Sequence, residues 1–206
     1  MPKMHLSELS ARLKPGDCLL FWHKSPVYIF SRIIAFRTGY NHDHIGIVTK
    51  VDKHAKTVEF MFSEMTASIF SDCAKHTPYM ITNLDGNWVF NGRDLEINGY
   101  LDVKKPLDKD SEDELYRYAE MCCKNKKRYG WLSVLFCQVH IYQYLPKWFS
   151  RLLEKNFYHN STVCSTHVQI ASFHAGIKKY IIEQDNYLAP ADFPRNPEFT
   201  YYEITQ

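Results

Sequence analysis

Several features are missing from the sequence, and each absence closes a route to function. None of the six cysteines forms a C-x-x-C pair, so the ligand spacing of a structural zinc site is lacking. No apolar run reaches the roughly 18 residues that mark a membrane-spanning helix. The charged stretch Met1–Lys14 lacks the apolar core of a secretory signal. A dominant charge is missing too: the formal net charge is +2, which gives no global field for a polyanionic partner. The expectation is a cytoplasmic, reducing setting with free thiols, no metal or cofactor, and no nucleic-acid partner.

What is present suits an ordinary globular chain. With 206 residues, 45% hydrophobic and 23% charged, it can bury a core without staples, and residues 1–206 read as one domain. The one basic cluster, Lys124, Lys126, Lys127 and Arg128, falls where a helix would end, with cations at the negative pole.

Periodicity sets out the elements. Leu6, Leu9 and Leu13 space a short helix over 7–13, stopped at Pro15-Gly16, and Asp17–Trp22 reads as a buried strand. Phe30, Ile33 and Ile34 share the face of a helix over 27–38, with Gly39 as its cap. A polar turn, Asn41-His42-Asp43, leads into a strand over 44–51. A second strand over 57–63 alternates Val58, Phe60 and Phe62 with Glu59 and Met61. The stretch from Thr66 to Asn98 is irregular, with short strands and loops, and Tyr100–Val103 suits another strand. A helix over 111–127 is capped by Ser111 and striped by Leu115, Tyr118, Ala119 and Cys122. Apolar and amphipathic helices are expected over 131–144 and 147–157. Val168, Ala171 and Ala175 place a last helix over 163–176, closed by Gly176. The proline-bearing tail from Leu188 to Gln206 reads as an extended segment wrapping the surface. The segment 147–157 suits a lid or core packing, a lipid-facing surface, or a partner interface.

Cys164 draws attention by its position. It follows the polar Asn160-Ser161-Thr162 and opens a helix, where unpaired N–H groups and the helix dipole favour a thiolate and can hold an oxyanion. The bland alternative is a small, inert, buried residue. A thiol nucleophile needs a base that also protonates the leaving group. His44 begins a strand after a polar turn, where its ring can face a cleft or serve as a structural histidine. If the 57–63 strand pairs antiparallel with the 45–51 strand, Glu64 lies near His44, where a carboxylate can orient the imidazole. Alternatively, Glu64 is a solvated strand end. His42, Asp43, His167, Trp22 and His23 are nearby candidates, read mainly as turn, helix-face or core residues.

The ordered set Gly16-Asp17, His44-Ile45-Gly46-Ile47-Val48, Ser63-Glu64, Tyr129-Gly130-Trp131, Cys164-Ser165, Ala175-Gly176-Ile177 and Pro190-Ala191-Asp192-Phe193 resembles the permuted NlpC/P60-type (YiiX/YebB-like) cysteine hydrolases. The likeness runs from about Lys14 to Phe199. It implies an α+β, circularly permuted papain-like domain: a small antiparallel sheet carries the histidine, and the nucleophile sits at the N-terminus of a helix packed against it. By position it implies Cys164 as nucleophile, His44 as base and Glu64 as the orienting residue, acting on a peptide or other acyl or amide substrate through an acyl-enzyme. Two departures stand out. Thr166 occupies a position that is often acidic in relatives, and a helical insertion is expected over 140–160. A lipid-directed acyltransferase or thioesterase, and an inactive binding module of the same fold, are the alternatives.

Overall fold

The computed structural model describes residues 1–24, 42–65, 74–92, 94–125, 128–129, 161–162, 164–177 and 190–205. The helices expected over 27–38, 131–144 and 147–157, and the insertion over 140–160, lie outside the described residues. The elements run β1 (Lys3–His5), α1 (Leu6–Arg12), β2 (Cys18–His23), β3 (His44–Lys53), β4 (Thr57–Met65), β5 (Ala74–Leu84), β6 (Asn87–Phe90), β7 (Leu95–Val103), α2 (Lys109–Lys124), β8 (Arg128–Tyr129), β9 (Ser161–Thr162), α3 (Cys164–His174), a 3-10 helix (Pro190–Arg195) and β10 (Phe199–Thr205).

Among the described residues, eight strands form one sheet in the order β1-β10-β7-β2-β3-β4-β5-β6. All neighbours are antiparallel except β1 and β10. The sheet is thus larger than the small one expected, and mixed at one edge. Two regions account for the difference. The irregular stretch holds β5 and β6, joined where Asp85 (φ 51°) and Gly86 (φ 95°) turn the chain, followed by β7. In β5 the polar Lys75 and Thr77 share one face with Tyr79 and Ile81, so the clean alternation that would mark a strand is absent. The proline-bearing tail is also a strand: β10 lies between β1 and β7. Its prolines fall in the 3-10 helix and in the turn that follows it, which leaves Phe199–Thr205 free to pair. A third correction concerns the cap of α2. Asp108, not Ser111, is the N-cap, and its side chain accepts from Ser111 N at 2.9 Å.

Alternation gives the sheet two apolar faces. Against one, α1 packs Leu6, Leu9 and Leu13 onto Leu19, Phe21, Val48, Phe62 and Tyr100. Against the other, Leu115, Tyr118 and Cys122 of α2 and Val168 and Ala171 of α3 cover Ile45, Ile47, Met65 and Leu101. Helix α3 ends as its sequence suggests. Gly176 has φ 71°, and the N–H of Ile177 reaches Ser172 O at 2.9 Å, a Schellman closure.

The Gly16-Asp17 pair fixes the start of β2. Gly16 turns the chain at φ 89°. Asp17 then accepts hydrogen bonds from Lys14 N at 2.9 Å, Val103 N at 2.9 Å and Tyr100 OH at 2.7 Å, and pairs with Lys14 Nζ at 3.1 Å. Burial pushes its pKa up to about 6, against the opposing pull of Lys14 and these donors. Asp17→Ala strips three donors of their acceptor. It is expected to lower the unfolding free energy by about 3 kcal/mol or more, read as a lower urea midpoint with unchanged slope.

Candidate active site

The β3–β4 register builds the centre of the site. Phe21 pairs with His44, and Asp43 N donates to Phe21 O at 3.1 Å, which fixes where β3 begins. Gly46 pairs with Glu64, so His44 and Glu64 project from the α1 face as diagonal neighbours. The bond His44 Nε2 to Glu64 Oε2 measures 2.7 Å, with side chains only 6% and 2% exposed. Tyr79 OH donates to the other carboxylate oxygen at 3.2 Å. Gly46 allows this close packing. A Cβ there would lie 2.3 Å from Phe62 Cζ and 2.8 Å from Ser63 O.

A bulge sets the phase of this arrangement. Val48 pairs with Phe62 and Lys50 with Met61, which leaves Thr49 without an opposite number on β4. Before the bulge the even residues 44, 46 and 48 face α1; after it the odd residues take over.

Cys164 arrives from the other layer. It is the first residue of α3, is buried, and packs among the residues of the α2–α3 face. His44 opens its strand, and there the Cys164 side chain acts on the imidazole and favours its charged form. Glu64 holds Nε2, which leaves Nδ1 to meet the thiol. Burial works against the imidazole cation. The hydrogen bonds and charges of Cys164 and Glu64 outweigh it, and hold His44 at about 10 instead of 6.5. The arrangement can keep a charged imidazole beside a sulfur at neutral pH, with a carboxylate fixing the ring.

The structure therefore brings Cys164, His44 and Glu64 together. The other candidates fall around them. His42 bonds Asn98 Oδ1 at 2.8 Å and Tyr201 OH at 3.0 Å, tying the entry to β3 onto β7 and β10. Asp43 holds His23: both carboxylate oxygens lie 3.0 Å from His23 Nδ1, and one accepts His23 N at 3.2 Å. The His23 ring lies 5.7 Å from the His44 ring, edge to face. Trp22 is half-buried at the end of β2. His167 is buried on the sheet side of α3, with Nε2 2.8 Å from Ser63 Oγ. The sequence reading missed Tyr79 and Asn98. Tyr79 reaches Glu64 only because β5 pairs with β4. Asn98 reaches His42 through a bulge in β7 opposite Leu20 and Phe21. Neither pairing has a local signal.

Among the described residues, no group of three or more His, Cys, Asp or Glu is placed to hold a metal ion. No described helix is long and apolar enough to cross a membrane. No family model matches the chain, and no curated protein matches it.

The His44 shift has a pH consequence. An unfolded histidine titrates near about 6.5. The stability that the His44 cation contributes is therefore complete below about 6.5, and is lost as pH rises through about 10. Glu64→Gln is expected to cost about 1.5–3 kcal/mol at neutral pH. It should also flatten the alkaline fall, seen by comparing urea unfolding of both proteins from neutral pH to about pH 10.

Proposed function

We propose that this chain is a cysteine hydrolase of the permuted papain-like type, acting on an amide or peptide bond, with Cys164 as nucleophile, His44 as base and Glu64 as orienting residue. One observation carries the reading: the buried Cys164–His44–Glu64 line, with Glu64 at 2.7 Å from Nε2 and the sulfur at the start of a helix. Nucleophile, base and orienter are thereby linked in the sequence that acyl transfer needs. The order of motifs along the chain supports the same family.

The chemistry follows from these positions. The Cys164 thiolate attacks the carbonyl carbon, and an S–C bond forms as the C=O electron pair moves to oxygen. The first amides of α3 have no intrahelical acceptor, so the Cys164 N–H is available to the oxyanion. His44 Nδ1 gives its proton to the leaving nitrogen as the C–N bond breaks, and an acyl-enzyme remains. Water, or an acceptor amine, then gives a proton to Nδ1 and attacks the thioester, which releases the product and the thiolate. Glu64 holds the ring and its charge throughout; it neither receives nor gives a proton. Peptide and other acyl-amide compounds are the partners of this reading, and a cell-wall peptide is one such substrate.

Two measurements test it. Iodoacetamide labelling, resolved by mass spectrometry, should find Cys164 the fastest cysteine at about pH 6, with at least a tenfold loss in His44→Ala. If Cys164 labels no faster than Cys18, the fold serves as a binding module. Against a panel of amides, peptides and thioesters, Cys164→Ala should lose about 10⁴-fold or more in turnover while remaining folded. Retained turnover refutes the nucleophile. A preference for thioesters over amides would move the reading to acyl transfer.

A further inference from the structure

A second polar chain crosses β3, β5 and α2, buried at His76 and open to solvent at Glu120, whose side chain is 41% exposed. Thr49 Oγ1, the side chain at the β3 bulge, lies 2.6 Å from His76 Nε2, and His76 Nδ1 lies 3.1 Å from Glu120 Oε1. The Thr49 hydroxyl also donates to Met61 O at 3.2 Å. The His76 side chain is 3% exposed, and the Tyr116 ring meets it edge-on with centroids 4.9 Å apart.

Counting hydrogens decides what this chain can do. A hydroxyl has one hydrogen, and a neutral imidazole has one N–H and one lone pair. With a neutral ring at most two of the three bonds form. If Thr49 serves Met61 O, Nε2–H must serve Thr49, and the bare Nδ1 then faces the Glu120 carboxylate. If Nδ1–H serves Glu120, Thr49 must turn its hydrogen to Nε2, and Met61 O loses its donor. The imidazolium donates from both nitrogens, and all three bonds form.

We propose that His76 is a protonation-sensitive positioning residue: by bridging Thr49 and Glu120 it fixes the β3 bulge against α2, and so holds His44 and Glu64 at hydrogen-bonding distance. The bulge is the lever. It sets the phase that puts His44 and Gly46 on the same face as Glu64, and Thr49 is the residue it leaves unpaired. The groups facing His76 are Glu120, Tyr116 and the Cys123 thiol from α2, Thr49 and the neighbouring Lys50–Asp52 pair from β3, and Ser63 across β4, whose hydroxyl bonds His167 of α3. Among the described residues, Glu120 is the carboxylate that hydrogen-bonds the ring. The consequence for catalysis rests on the Cys164–His44–Glu64 reading; the bond count stands without it.

The test is nitrogen and proton NMR of the full chain at about pH 5.5 and about pH 8, a range in which imidazoles change charge. At the lower pH, both ring nitrogens of His76 should carry protons. The amides of Thr49, Lys50 and Met61 should then exchange about fivefold more slowly than at the higher pH, after correction for the chemical rate. The His44 ring-proton resonance, shifted by its bond to Glu64, should sharpen in parallel. In His76→Gln, whose amide offers one donor and one acceptor at any pH, the His44 resonance should persist and these pH differences should vanish. A single ring proton on His76 at both pH values overturns the proposal without any variant. A pH difference that persists unchanged in His76→Gln also overturns it. The ring resonance reads the His44–Glu64 bond whether or not Cys164 reacts. Unreactive Cys164 with the full His76 response therefore sinks the enzymatic reading and upholds the positioning role. Reactive Cys164 with an unresponsive His44 resonance does the reverse.

Discussion

The pairing of β3 with β4, phased by one extra residue at Thr49, is the constraint on which the rest of the site depends. Strand side chains alternate with a period of two. A one-residue slip would therefore send His44 to the α2–α3 face while Glu64 stayed on the other. The observed register instead puts both polar groups on the α1 face, among Phe21, Phe62 and Tyr79. Burial there is costly for charge, so each group depends on its partners. Glu64 accepts from His44 and Tyr79, and His44 is held between Glu64 and Cys164.

The thiol and the imidazole come from opposite sides of one sheet. They approach at the beginning of β3, where α3 presents its first residue to a ring that projects from the other face. Around that point three consecutive residues, His42, Asp43 and His44, each bind a different strand or strands: β7 and β10, β2, and β4 respectively. Asp17 does similar work at the other end of β2, where it gathers Lys14, Tyr100 and Val103. Buried polar clusters thus fix the ends of the central strands, while apolar contacts cover their middles.

Legibility in the sequence followed the range of the interaction. The strand at His44, the alternation of Val58, Phe60 and Phe62, the helix at Cys164 and its Gly176 closure are all local patterns, and all appear in the structure. Glu64 was reachable too, because two strands separated by a short turn pair antiparallel by default. The mixed polar and apolar residues along β5 blurred its extent, and the prolines before β10 concealed that strand, because each owes its place to a distant neighbour. Tyr79, Asn98 and His76 were hidden for the same reason: their partners lie 15, 56 and 27 or 44 residues away.

The sequence by itself determined which segments are helix or strand wherever apolar spacing is regular, and it placed a cysteine at a helix start and a histidine at a strand start. It did so because hydrophobic period, glycine caps and polar turns act within a few residues. Tertiary structure alone decided that the two meet, that Glu64 rather than a solvent molecule takes His44 Nε2, and that the imidazole stays charged well above its ordinary range. Those outcomes depend on register, on a bulge, and on burial shared between two layers, and none of these is a property of any one segment.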